Sequence, residues 1–223
     1  MKPFENLAES TTPDGHRLTL HHRDGEYFIL LEGKALMATR APGSELALAE
    51  LGCRGLPSKE PRVLIGGLGL GFTLKAALGE LPARATVVVA ELLGAVIEWN
   101  RTYLAHLQGG ALTDRRVQVR EGDVWGQILE SGPWDAILLD VDNGPQAWFM
   151  EANGRFYDRR GIDRIRQSLV PGGRLAVWSA YPDPAFVRRL EKAGFLPKAH
   201  RVRSRGHKGH RHTVFLAQAP ARR

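Results

Sequence analysis

The apolar positions change period along the chain. Arg17 to His22 and Glu26 to Leu31 are short β-prone runs, and Asp24-Gly25 between them is a strong hairpin signal. Glu32-Gly33 predicts a second turn and Lys34 to Thr39 a third strand. Glu45 to Gly52, after Pro42-Gly43-Ser44, reads as a short capped helix. From Arg62 to Ser179 strand and helix signals alternate. Strands are expected at Arg62–Ile65, Ala85–Ala90, Val117–Arg120, Asp135–Leu139 and Arg174–Trp178, the last entered through a tight Pro171-Gly172-Gly173 turn. Helices are expected at Phe72–Leu81, Leu92–Leu107 and Arg160–Val170. Pro184 to Ala193 reads as a helix closed by Gly194. Ala199–Ser204 and Thr213–Ala217, joined by Gly206 to His212, could form an antiparallel hairpin at a sheet edge.

This rhythm predicts a parallel sheet covered on both faces, an α/β fold. A small β-rich segment, 1–55, is expected to precede the main domain, 56–223.

Residues 63 to 71 read Val-Leu-Ile-Gly-Gly-Leu-Gly-Leu-Gly, a strand running into a glycine turn before a helix. Gly67, Gly69 and Gly71 let the backbone turn tightly and approach a ligand where a Cβ would clash. A tight strand–helix turn with no ligand has the same local signature. Glu91 ends the next strand, twenty residues past the last glycine, where nucleotide-binding folds set an acid against ribose hydroxyls. Asp123, followed by Val124, comes after another strand and could accept from an adenine amino group. Asp140 ends the Asp135–Leu139 strand, with Asp142 two residues on. Four parallel strands ending at Gly67, Glu91, Asp123 and Asp140 would line one crevice. Dinucleotide enzymes share the first two features; Asp123 and the terminal hairpin suit S-adenosylmethionine enzymes better.

These residues resemble the spermine/spermidine synthase family and its methyltransferase relatives over about residues 17 to 200. The carriers are Val63 to Gly71, Glu91, Glu121-Gly-Asp-Val124 and Trp134 to Asp142. The resemblance implies a Rossmann-like class I methyltransferase sheet with a terminal antiparallel hairpin, behind an N-terminal β-meander. It implies S-adenosylmethionine or its decarboxylated form as alkyl donor, bound by Gly67, Gly69, Gly71, Glu91, Asp123 and Val124, with no metal. It gives Glu91 the ribose, Asp123 the adenine and Asp140 the acceptor amine's proton, with Asp142 as a second acid on the acceptor side. Three positions depart from the pattern of polyamine biosynthesis enzymes. Gly69 stands where an acid normally meets the donor's amino group. Ser44-Glu45-Leu46 replaces a Tyr-His-Glu stretch. The spacing from Asp140 through Asp142 to Pro145 also differs. On these grounds methyl transfer is the expectation, aminopropyl transfer the alternative, and a non-catalytic nucleoside- or nucleic-acid-binding protein the reading from another class.

Composition changes the picture in two places. Hydrophobic residues make up 43% and charged residues 25% of 223, ordinary for a folded domain. The single Cys53 rules out an internal disulfide and reads as a packed thiol. Met1 to Thr12 has no apolar core, so no secretory signal is expected, and a cytoplasmic location is the simplest reading. The net charge of +7 is uneven: Phe186 to Arg223 holds eleven Lys/Arg and one acid, a net +10 against −3 elsewhere. That section suggests an acidic partner such as nucleic acid, although no nucleic-acid motif accompanies it and solvated arginines are the plainer reading. His207, His210 and His212 read as a solvated hairpin tip rather than a metal site, and His21-His22 would face opposite sides of a strand. Trp134, Trp148 and Trp178 are expected near the crevice ends of strands, with core packing their commoner role. Trp148-Phe149-Met150 is a candidate lid. A homodimer through the meander is expected from the resemblance.

Overall fold

The computed structural model describes residues 3–141, 144–145, 151–205 and 208–221. Four strands form an N-terminal antiparallel meander in chain order: β1 (Glu5–Thr11), β2 (Arg17–Arg23), β3 (Glu26–Leu31) and β4 (Lys34–Ala38). Both predicted turns have two successive residues at positive φ, Asp24 at 52° with Gly25 at 81° and Glu32 at 48° with Gly33 at 74°. Turns of this kind match the twist of the strands they join. β1 has no counterpart in the sequence reading. Its Glu-Asn-Leu-Ala-Glu-Ser-Thr run lacks an apolar face, and as an edge strand paired only with β2 it needs none.

Helix α1 (Gly43–Cys53) then crosses the face of a second sheet. The expected side-chain cap is absent: Pro42 stands at the N-cap, and the Ser44 hydroxyl donates to Glu45 Oε2 at 2.6 Å instead. Gly52 is required because a Cβ there would lie 2.9 Å from Leu138 Cδ1.

The second sheet contains β5 (Arg62–Gly66), β6 (Thr86–Glu91), β7 (Val117–Glu121), β8 (Trp134–Leu139), β9 (Leu169–Ser179), β10 (Leu196–Arg205) and β11 (Lys208–Gln218). Its order is β10-β11-β9-β8-β5-β6-β7; β11 pairs antiparallel with both β9 and β10, and the other five strands pair in parallel. Helices α2 (Phe72–Glu80), α3 (Gly94–Thr102), α4 (Ala105–Gln108), α5 (Val124–Glu130), α6 (Arg159–Gln167) and α7 (Pro184–Lys192) complete it.

The central strands are apolar throughout because both faces are covered. Val63, Ile65, Val87, Val89 and Leu138 join a core with Leu48 of α1 and Leu18, Leu20 and Ile29 of the meander. Leu64, Val88, Ile137 and Leu139 join an opposite core with Ile162, Phe186 and Phe215. Each fully buried leucine contributes roughly 1.5–3 kcal/mol.

Three further elements differ from the pattern reading. The helix expected over Leu92–Leu107 breaks, because the N–H groups of Tyr103 and Leu104 both bond to Trp99 O at 2.9 Å and Leu104 turns fully into the core. Helix α5 was not anticipated; Asp123 caps it by accepting from Trp125 N–H at 2.8 Å. The Pro171-Gly172-Gly173 turn lies inside β9, where the pairing with β8 shifts register between Trp134 and Ala136.

Candidate functional site

The strand order reverses between β5 and β8, and the crevice beyond the carboxyl ends of such strands is where open α/β sheets take ligands. The glycine turn lies there. Gly67 has φ of 88°, and a Cβ on it would sit 2.4 Å from the Asp140 carbonyl oxygen, so no side chain fits. Its N–H donates to Ala90 O at 2.8 Å, and Asp140 N–H donates to Gly66 O at 2.9 Å. The turn is thus tied to both neighbouring strands. Gly69 sits under the Met37 sulfur of β4, 3.0 Å from where its Cβ would be, and Gly71 abuts Gln108.

Glu91 is buried at the end of β6. Its Oε2 accepts from Leu68 N–H at 2.8 Å and its Oε1 from Leu93 N–H at 2.9 Å. Burial raises its proton affinity, and the N–H groups of Leu93, Leu68, Gly69 and Leu92 offset part of that rise.

Asp140 ends β8 and accepts from the Thr73 hydroxyl at 3.0 Å. Burial first, then the charge of Glu45, pushes its carboxyl up to about 7, against the pull of the Thr73 hydroxyl. Burial also raises Glu45 above the ordinary carboxylate range, offset by the Ser44 hydroxyl. Two carboxyls from separate elements, α1 and β8, therefore act on each other beside the glycine turn.

The structure brings Gly67, Gly69, Gly71, Glu91 and Asp140 to this one edge. Asp123 lies at the end of β7, largely exposed, with Oδ1 taken by Trp125 N–H and Oδ2 by the guanidinium of Arg155. The Val124 side chain is buried against Gly66 and belongs to the core. Asp142 and Trp148-Phe149-Met150 lie outside the described residues.

Trp134 corrects an expectation. It begins β8, at the opposite edge from the crevice, fully buried under the Arg62 guanidinium 4.8 Å from its ring. Trp178 packs against His212, with ring centroids 4.9 Å apart. Cys53 is buried and its thiol pushed up to about 12, chiefly by burial.

Sequence reasoning did not single out Glu45, Thr73, Arg155 or Asn100 as site residues. Asn100 is fully buried on α3 and donates to Gly69 O at 2.7 Å and Val96 O at 2.9 Å, while Gln108 donates to Asn100 O at 2.9 Å. A polar Asn amid the apolar face of α3 was the one legible signal. Among the described residues no group of three His, Cys, Asp or Glu could hold a metal ion, and no helix is long and apolar enough to cross a membrane.

This strand order, with the crevice at the β5–β8 switch, defines a Rossmann-like class I methyltransferase-type fold. No family model matches the chain. It is similar to the polyamine aminopropyltransferase of Synechococcus sp. (strain JA-2-3B'a(2-13)), 29% identical over 128 residues, 55% of this chain and 38% of that protein. It is also similar to that of Bacillus mycoides (strain KBAB4), 35% identical over 85 residues, 38% of this chain and 30% of that protein. The match thus spans well under half the length of either relative. Among solved structures, a spermidine synthase in complex with the transition-state analogue AdoDATO superposes with a TM-score of 0.75 at 17% identity, over 97% of this chain and 73% of that one. The spermidine synthase from Thermotoga maritima gives 0.72 at 16% identity, with the same coverage. The chain has the spermidine synthase family fold.

Proposed function

We propose that this chain is a spermidine synthase-like transferase that moves an aminopropyl group from decarboxylated S-adenosylmethionine to an amine. The observation that carries this reading is Asp140: a carboxyl held near neutrality, hydrogen-bonded to Thr73, beside a glycine turn and the buried Glu91. The curated relatives favour aminopropyl transfer over the methyl transfer that Gly69 and Ser44-Glu45-Leu46 suggested from sequence.

In this reading the turn around Gly67 to Gly71 takes the sulfonium end of the donor and Glu91 accepts from the ribose hydroxyls. Asp123 takes the adenine amino group after yielding part of its contact with Arg155. Asp140 accepts a proton from the acceptor ammonium, because only the neutral amine has a lone pair to attack with. The amine nitrogen bonds to the aminopropyl carbon as the carbon–sulfur bond breaks, and the electron pair leaves on sulfur as a neutral thioether. The protein's share is positioning and exclusion of water. A carboxyl near 7 suits the task, since it is ionised enough to accept a proton and basic enough to hold it.

Methyl transfer keeps one observation in its favour: Met37 occupies the space over Gly69, so no acid meets a donor ammonium there. Calorimetric titration with decarboxylated and with carboxylated S-adenosylmethionine tests the two readings. Tighter binding of the decarboxylated form, followed by product formation with a diamine, is the expected result. Preference for the carboxylated form transfers the conclusion to methyl transfer, and binding of neither overturns both.

A further inference from the structure

The basic C-terminal section has no part in that chemistry, and the structure gathers it on one hairpin. β9 ends at Ser179, which pairs with Thr213, which pairs in turn with Arg201. Past this row β10 and β11 continue alone, with Val202 opposite His212, Arg203 opposite Arg211 and Arg205 opposite Lys208. The hairpin therefore projects beyond the end of β9 by about four residues, roughly 13 Å. It does so on the same edge as Gly67, Glu91 and Asp140.

Alternation puts Arg201 and Arg203 on one face, and cross-strand pairing puts Arg211 on it too. The other face is committed: Val202 and Trp178 pack against the core that includes α1, and His212 stacks on Trp178. Directly opposed residues lie roughly 5 Å apart, so the Arg203–Arg211 pairing is repulsive. Among the described residues, no ion pair relieves Arg201, Arg203, Arg205 or Arg211. Tyr181, two residues beyond the end of β9, is 59% exposed.

A row of uncompensated guanidinium groups, with an exposed ring two residues past the Ser179–Thr213–Arg201 row, matches a phosphate backbone with an unstacked base. An anionic bilayer would need apolar side chains to bury at the tip. Of the described tip residues, Arg205, Gly209, His210 and Arg211 supply none. We propose that the Arg201–Arg203–Arg211 face of the terminal hairpin, together with Tyr181, binds single-stranded nucleic acid. This surface is independent of the transferase reading and survives its failure.

Fluorescence anisotropy of the full chain with end-labelled single strands of about 20 nucleotides, RNA and DNA, tests it over about 50 to 200 mM KCl. Binding is expected at the low end, with log K falling against log salt at a slope of about −2 for three phosphate contacts. Arg203→Ala/Arg211→Ala should flatten that slope by about 1.4. Because it removes a like-charge pair, this variant should keep the parent's Tm. Tyr181→Ala should weaken single-strand binding and leave duplex binding unchanged. Lys59→Ala/Arg84→Ala, exposed residues at the opposite sheet edge, should match the parent within about twofold, in contrast to the hairpin pair. No binding at low salt overturns the proposal, as does equal loss in the two double variants. It is also overturned if the same arginines hold the chain on phosphatidylserine vesicles more tightly than on either strand.

Discussion

Arg155 donates to Oδ2 of Asp123 from 32 positions away, while Oδ1 accepts from Trp125 N–H at 2.8 Å. Both oxygens of a carboxylate at the end of β7 are therefore engaged before any nucleoside arrives. The pair is part-exposed, with side-chain exposures of 34% and 45%, so it is worth about 0.5–1 kcal/mol. Arg155→Ala should raise affinity for an adenosine-bearing ligand about two- to fivefold by calorimetric titration. A fall of that size would make Arg155 part of the binding surface.

Glu91→Gln should weaken both the fold and the proposed nucleoside site. An amide in that position turns its NH₂ toward either Leu68 N–H or Leu93 N–H, donor against donor. One buried backbone donor is then left without an acceptor, a loss of about 1–3 kcal/mol. Urea unfolding of the variant checks it, and an unchanged midpoint would show that the two N–H groups find other acceptors.

The close approach at Gly67 predicts a contrast between two glycine substitutions. Gly67→Ala brings a Cβ to 2.4 Å from Asp140 O at a φ of 88°. The left-handed conformation alone costs roughly 1–2 kcal/mol, and the turn must also open. Tm should fall and nucleoside binding should be lost. Gly126→Ala, inside α5 with nothing within 4 Å of the added carbon, should raise stability by about 0.5–1 kcal/mol.

Asp140 makes stability depend on pH. Its carboxyl titrates at about 7 in the folded chain, against the ordinary aspartate value of 3.8 when unfolded. The fold favours the protonated form, so this contribution is complete below about pH 4 and is lost as pH rises through about 7. Asp140→Asn stays neutral throughout. Its Tm relative to the parent should climb between about pH 4 and 8, by the equivalent of about 1–2 kcal/mol once partial exposure is allowed for. Transfer by the parent should increase with pH through the same window. A Tm difference constant with pH would place the titration elsewhere.

The strands and turns of both sheets were legible wherever the deciding interactions were local. A run such as Thr86–Glu91 reads as buried strand because every residue faces a covered side. Asp24-Gly25 and Glu32-Gly33 read as turns because few residue pairs tolerate two positive φ values. The glycine turn, Glu91 and Asp140 could be placed on one edge because parallel strands start and stop together. Strand β1 escaped because an edge strand needs no apolar pattern. The α3–α4 break escaped because Leu104 is drawn out of the helix by a core made of distant residues. Trp134 belongs at the end of its strand away from the crevice, and chain order already implied this, since Asp140 closes the same strand on the crevice side. The site's electrostatics lay furthest out of reach. The repulsion between Glu45 and Asp140, the capture of Asp123 by Arg155 and the Asn100 bond to Gly69 O join residues from different elements. The order of residues determined which backbone conformations were cheap. Only the folded chain decided which charges face one another, because that depends on through-space distance and burial, neither of which has a period along the sequence.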